Sequence, residues 1–167
     1  VNYFQGNLNN VLDRFYQYVK NKKANYIVRL TSDCPIIDAE LIDKVIRYTI
    51  DKNLDYCSTG LEEIFPDGQD VEVFKFSALE KAWKEATLNS DKEHVTPYIH
   101  KNSTYRNKAM FVSEMYPCET NYSRVRLTVD EPNDFIVIKK IINELGTNKS
   151  WQEYTKYYLE SGISLIN

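Results

Sequence analysis

The sequence predicts an α/β protein, a three-layer sandwich with a mostly parallel sheet. Two observations carry this. Short β-branched apolar runs alternate with longer segments whose apolar residues recur every three or four positions. Loops rich in Asp, Asn, Gly and Pro separate the two kinds of segment. The 167 residues suffice for one core, so residues 1–167 are read as a single domain.

The elements follow in order. Asn9 to Lys22 reads as a helix, with Val11, Phe15 and Val19 at four-residue spacing. Tyr26 to Leu30 is a strand buried on both faces, and Pro35 marks the loop that ends it. Asp38 is placed to cap the next helix, whose apolar positions are Leu41, Ile42, Val45 and Ile46. Leu54 to Ser58 is a strand, residues 60–70 a loop, and Val71 to Phe76 a strand of period two. Ser77 with Glu80, and Ser90 with Glu93, have the spacing of capping boxes that open two helices. Pro97 should kink or end the second of these. Met110 to Glu114 and Arg124 to Val129 are further strands. Pro132 opens a helix that Gly146 stops, and Trp151 to Glu160 is a last, aromatic-rich helix. An α/β nucleotide enzyme normally begins with a strand and a Gly-rich turn. This chain opens on a helix instead.

Composition narrows the function. Apolar residues make up 43% and charged residues 27%, and the net charge is −3, which disfavours general nucleic-acid binding. Val1 to Asn10 is polar, without the apolar core of a signal peptide, and no run of about 18 apolar residues occurs. Cys34, Cys57 and Cys118 fit reduced thiols, so a cytoplasmic protein that neither spans nor binds a membrane is expected.

Ligands of open α/β sheets bind beyond the carboxyl ends of the strands. Asp33 and Asp130 each fall just past a predicted strand. Two such carboxylates suit Mg²⁺, though each could equally cap the helix that follows. Asp67 sits in a turn, and Asp70 and Glu72 run into a strand, where an acid usually has a partner or a task. Glu93, His94 and Thr96 form a third group, in which His94 could hold a phosphate or act as a base. Arg124 and Arg126 lie on one side of their strand, and Arg126 suits either an anion or a salt bridge. Cys34 has no visible base and reads as a small buried thiol. Tyr154, Tyr157 and Tyr158 suit either a homodimer interface or a cover for the core.

Five blocks then make the pattern specific. They are Leu12–Tyr16, Val28–Asp38, Pro66–Phe74, Glu93–Tyr98 and Arg126–Phe135. In this order they resemble the spore-coat polysaccharide cytidylyltransferases, relatives of the acylneuraminate cytidylyltransferases. The resemblance implies a nucleotide-diphosphosugar transferase fold and transfer of a cytidylyl group from CTP, with release of pyrophosphate. It implies a magnesium-dependent enzyme of surface polysaccharide or glycoconjugate biosynthesis. Asp33 and Asp130 match the metal ligands, Arg126 an anion contact, and Asp67, Asp70, Glu72, Glu93, His94 and Thr96 the acceptor side. The acceptor would be an acidic sugar or a phosphorylated or phosphonate compound. The family's opening strand and phosphate-holding loop have no match here. The chain is therefore expected to be the C-terminal part of a cytidylyltransferase domain, inactive by itself. Two alternatives stay open: a sugar-nucleotide glycosyltransferase of similar fold, for which no Asp-x-Asp motif is present, and a non-catalytic binding or dimerisation module.

Overall fold

The computed structural model describes residues 2–167. The fold is mixed α/β around a central four-stranded sheet. Its strands are β1 (Tyr26–Arg29), β2 (Tyr56–Ser58), β3 (Glu72–Lys75) and β4 (Ser113–Met115), in the spatial order β1-β3-β2-β4. Three strands share one direction and β3 opposes them. The parallel pairing of β2 and β4 shows in Asp55 N–H to Val112 O and Tyr116 N–H to Ser58 O. The reversed run of β3 shows in Phe76 N–H to Asn25 O and Thr59 N–H to Val71 O. The helices are α1 (Val11–Val19), α2 (Ala39–Asp51), α3 (Phe76–Glu85), α4 (Asn89–His94), α5 (Pro97–Lys101), α6 (Pro132–Leu145) and α7 (Trp151–Glu160). Among the described residues no helix is long and apolar enough to cross a membrane.

The chain packs as two compact units, each assembled from separate stretches. The first comprises residues up to Val28, Thr49–Cys57 and Val73–Glu114. Here Asn10 caps α1 by accepting from the Asp13 N–H, so the helix is shorter at both ends than its periodicity suggests. Leu12 of α1 is buried, as are Leu79 and Ala82 of α3. Tyr16 stacks on Trp83 at 4.0 Å between ring centres, and the Trp83 indole N–H donates to Asp13 Oδ1 at 2.8 Å.

Neither predicted serine box forms in this unit. α3 starts at Phe76 with Lys75 at its N-cap, and α4 starts at Asn89 after Leu88; neither has a side-chain cap. Pro97 opens α5 at its first turn. Between α4 and α5 lies Val95, wholly buried, with φ 72° and ψ −56°. The Thr96 N–H donates to His94 O at 2.9 Å across it. This is a γ-turn of the rare, strained kind, and a β-branched residue there is a genuine outlier.

The second unit comprises Arg29–Tyr48, Ser58–Glu72 and Met115–Asn167. Its core joins Ile36, Val125 and Leu127 to Val137, Ile138 and Ile141 of α6 and to Tyr154 and Tyr158 of α7. All three α7 tyrosines therefore lie against the core, Tyr154 and Tyr158 buried in it and Tyr157 partly buried beside it. The Tyr154 hydroxyl also donates to Gly146 O and accepts from the Lys149 N–H, fastening the α6–α7 loop. Gly146 ends α6 with φ 75°, as its position suggests. Asp38 caps α2 through Oδ1 and accepts the Trp151 N–H at the start of α7 through Oδ2. Gln69, fully buried, accepts from the Asp38 N–H and donates to Ile36 O.

The predicted strand at Arg124 to Val129 is absent as such. Val125 O accepts from the Asp67 N–H, and Leu127 N–H donates to Asp67 O, which makes one isolated parallel bridge. Val129 N–H and the Thr128 hydroxyl donate to Asp33 O. The period-two burial is real, since Val125 and Leu127 face the core. The segment is bonded to two loops rather than to a strand.

Two substitutions test this construction. Asp134, at the third position of α6, is buried and accepts from Arg126, Asn167 and the Asp130 and Glu131 N–H groups. Arg126 above all holds its carboxyl well below the usual range. A group with a depressed pKa stabilises the fold fully above its unfolded value of about 3.9, and less as pH falls further. Asp134→Asn should cost about 2 kcal/mol in urea unfolding at pH 7, with the gap to wild type narrowing below about pH 4. Gly68 has φ 97°, and a Cβ there would stand 2.5 Å from the Leu127 carbonyl. Gly68→Ala should destabilise by about 3 kcal/mol in the same assay.

Candidate functional site

The second unit gathers most of the acids that the sequence singles out. Asp33 lies in the loop after β1, Asp67 and Asp70 in the loop before β3, and Asp130 just before α6. The segment 125–129 connects them, because its backbone is bonded to residue 67 on one side and residue 33 on the other. Gly68 lies flat against the Leu127–Thr128 peptide, which lets the loop approach this closely.

Arg126 sits among these acids. Its Nε donates to Asp134 Oδ1 at 2.8 Å, and Nη2 to Asp134 Oδ2 at 2.7 Å, a bidentate pair. Nη1 donates to Asp67 Oδ2 at 2.6 Å, and Nη2 also to Asp130 Oδ2 at 2.9 Å. Four hydrogen bonds thus lead from one guanidinium to three carboxylates, and these salt bridges raise the Arg126 pKa further. The Asp67 carboxyl is pushed up by partial desolvation and by Asp130, Asp134 and Asp33, against the pull of Arg126. The Asp70 carboxyl is pushed up by burial first and then by Asp67, Glu72 and Asp33, although it accepts from the Gly68 N–H.

Glu72 lies on β3, which is flanked on both sides, and pairs with Arg29 of the adjacent β1. Its partner is thus the arginine of a neighbouring strand. The Cys34 thiol is buried and pushed up to about 11, so it is no nucleophile at neutral pH. A cavity of about 310 Å³ opens beside the acids, with Thr59, Gly60, Phe65, Pro66, Asp67 and Asp70 in its wall.

Glu93, His94 and Thr96 belong to the first unit, around the Val95 turn. Glu93 and His94 are exposed at the end of α4, whereas Thr96 is buried. Sequence reasoning passes over Asp134, the acid that anchors Arg126. A signal was present, since Glu131 and Asp134 have the spacing of a capping box, and that box forms.

The donor set at Asp33 and Asp130 fits a hard divalent cation in its chemistry. Both are carboxylates, and the bonds from Thr128 and Val129 to Asp33 O bring their two backbone segments together. Among the described residues no group of three or more His, Cys, Asp or Glu is arranged to hold an ion. Mg²⁺ needs only one or two protein carboxylates when phosphate and water complete its shell.

Comparison with known proteins places this geometry. A family model described as cytidylyltransferase matches residues 1–164. An uncharacterised protein of Methanocaldococcus jannaschii is 44% identical over 137 residues, covering 81% of this chain and 53% of that protein. The spore coat polysaccharide biosynthesis protein SpsF of Bacillus subtilis is 29% identical over 150 residues, covering 86% of this chain and 58% of that one. The chain thus spans a little over half the length of these two relatives. A solved cytidylyltransferase from Leptospira borgpetersenii serovar Hardjo-bovis superposes with a TM-score of 0.89 at 28% identity. That match covers 98% of this chain and 68% of the other. With the family model spanning nearly every residue and the fold matching a solved member, the chain belongs to the cytidylyltransferase family.

Proposed function

We propose that this chain serves a CTP-dependent cytidylyltransferase of surface polysaccharide or glycoconjugate biosynthesis. The reaction joins an acceptor oxygen to the α-phosphorus of CTP and releases pyrophosphate. The acceptor is an acidic sugar or a phosphorylated or phosphonate compound. The carrying observation is the convergence of the Asp33, Asp67 and Asp130 loops on the 125–129 segment. Family membership supports the nucleotide, and the likeness to SpsF supports the biosynthetic setting.

In this reading Asp33 and Asp130 would hold Mg²⁺, which would neutralise phosphate charge and help orient the reactants. The chain's own residues position and exclude. Arg126 supplies a fixed positive charge between Asp67 and Asp130, where a phosphate would otherwise meet only carboxylates. Asp67 and Asp70 border the cavity and are assigned to the acceptor side, where carboxylates accept hydrogen bonds from sugar hydroxyls. Glu72 supports that side through its pair with Arg29. Glu93, His94 and Thr96 lie in the first unit, around the strained Val95 turn, and are proposed as acceptor residues on the resemblance of their sequence block alone. Such catalysis works by positioning and electrostatics, so no covalent residue is required.

Pyrophosphate release separates this reading from a glycosyltransferase, which liberates none. Measured on the protein as the cell makes it, Asp33→Asn or Asp130→Asn should lower pyrophosphate release from CTP and acceptor by about 100-fold or more. Circular dichroism should stay unchanged. Near-normal release from either variant would overturn the metal assignment.

A further inference from the structure

We propose that Arg126 is the resident cation of the Asp130 carboxylate and competes there with the divalent ion, so that it sets how tightly the protein takes metal. The inference rests on the reading of Asp130 as a metal ligand. It adds a role for Arg126 towards the ion itself.

The geometry divides the grip of Arg126 into two parts. One is deep. Nε and Nη2 together hold both oxygens of Asp134, whose side chain is only 1% exposed. The other is shallow. Nη2 reaches Asp130, whose side chain is 51% exposed, with a single hydrogen bond. A buried bidentate pair resists exchange, whereas an exposed single contact contributes little and is readily given up. The guanidinium can therefore release Asp130 without leaving its anchor on Asp134. Asp67 forms a comparable outer contact through Nη1.

Electrostatics makes the exchange a competition. Asp130 Oδ2 accepts from Arg126, so the carboxylate on which the ion would settle already has a cation beside it. A divalent cation settling on Asp130 would bring its charge close to a guanidinium that stays tied to Asp134. The guanidinium lowers the negative potential that attracts the ion, and it also occupies a lone pair of the ligand. Without metal, it keeps Asp67, Asp130 and Asp134 from facing one another uncompensated. One side chain thus allows the acids to be assembled and tempers their affinity for the ion they await.

The test uses Mn²⁺ alone, with free ion read by electron paramagnetic resonance and no nucleotide present. Arg126→Lys keeps a cation beside buried Asp134, but one ammonium lacks the fork that spans three carboxylates. It should bind Mn²⁺ about threefold to tenfold more tightly than wild type. Adding Asp130→Asn to either background should abolish that difference. As a check free of mutation, Mg²⁺ added to the wild-type protein should shift the Arg126 guanidinium ¹⁵N signals in step with saturation. Equal or weaker Mn²⁺ binding by Arg126→Lys, or Mg²⁺ saturation without a guanidinium shift, would reduce Arg126 to a scaffold and overturn the proposal alone. If the wild type and Arg126→Lys both bind no Mn²⁺, the metal reading of Asp130 falls with it.

Discussion

The second unit depends on the short extended segment from Val125 to Val129. It belongs to no strand, yet its peptide groups are bonded on one side to Asp67 and on the other to Asp33. Its inward side chains, Val125 and Leu127, join the core with α6 and α7. Polar backbone groups that would be costly to bury unpaired are thereby satisfied by loops. The result is a place where the loops carrying Asp33, Asp67 and Asp130, distant in sequence, meet at one segment. Hydrophobic burial fixes the segment, and the segment's hydrogen bonds fix the acids.

Such a cluster is electrostatically unfavourable by itself, and the protein offsets this locally. Arg126 neutralises part of the charge, and it is held by Asp134, whose carboxylate also completes the α6 capping box. The start of α6, the last residue Asn167 and the acidic loops therefore meet at one buried carboxylate. The upward shifts of Asp67 and Asp70 are the residue of repulsion and desolvation that this arrangement leaves uncompensated. Carboxyls perturbed in this way are characteristic of functional sites.

Much of this was legible in the sequence, for physical reasons. Asp33 follows a β-branched run and precedes Pro35, so its place at a strand end could be read directly. The start of α6 was legible from Pro132, and its end from Gly146. The segment 124–129 was misread because alternation reports which residues are buried, and not which partner takes the backbone bonds. Ser77 and Ser90 carried the spacing of capping boxes, yet α3 and α4 begin one residue before them. At α3 the Phe76 N–H already belongs to Asn25 O, so strand pairing sets the boundary ahead of a local motif. The fourfold hold on Arg126 was not legible, because it needs residues 67, 126, 130 and 134 brought together in space.

Asp38 gives this organisation a further meaning. Its two oxygens serve two helices, the start of α2 nearby and the Trp151 N–H 113 residues away. It also lies on the same loop as Asp33. The last helix is thus tethered to the loop that carries a candidate ligand, without any covalent link and far from the acids in sequence. Substitutions that merely shift the packing of α7 against Phe65 or Tyr122 will pull on that loop through this one carboxylate. Drift in the C-terminal helix is therefore constrained by the site as well as by the core, and its aromatic positions should vary together with the loop rather than independently of it.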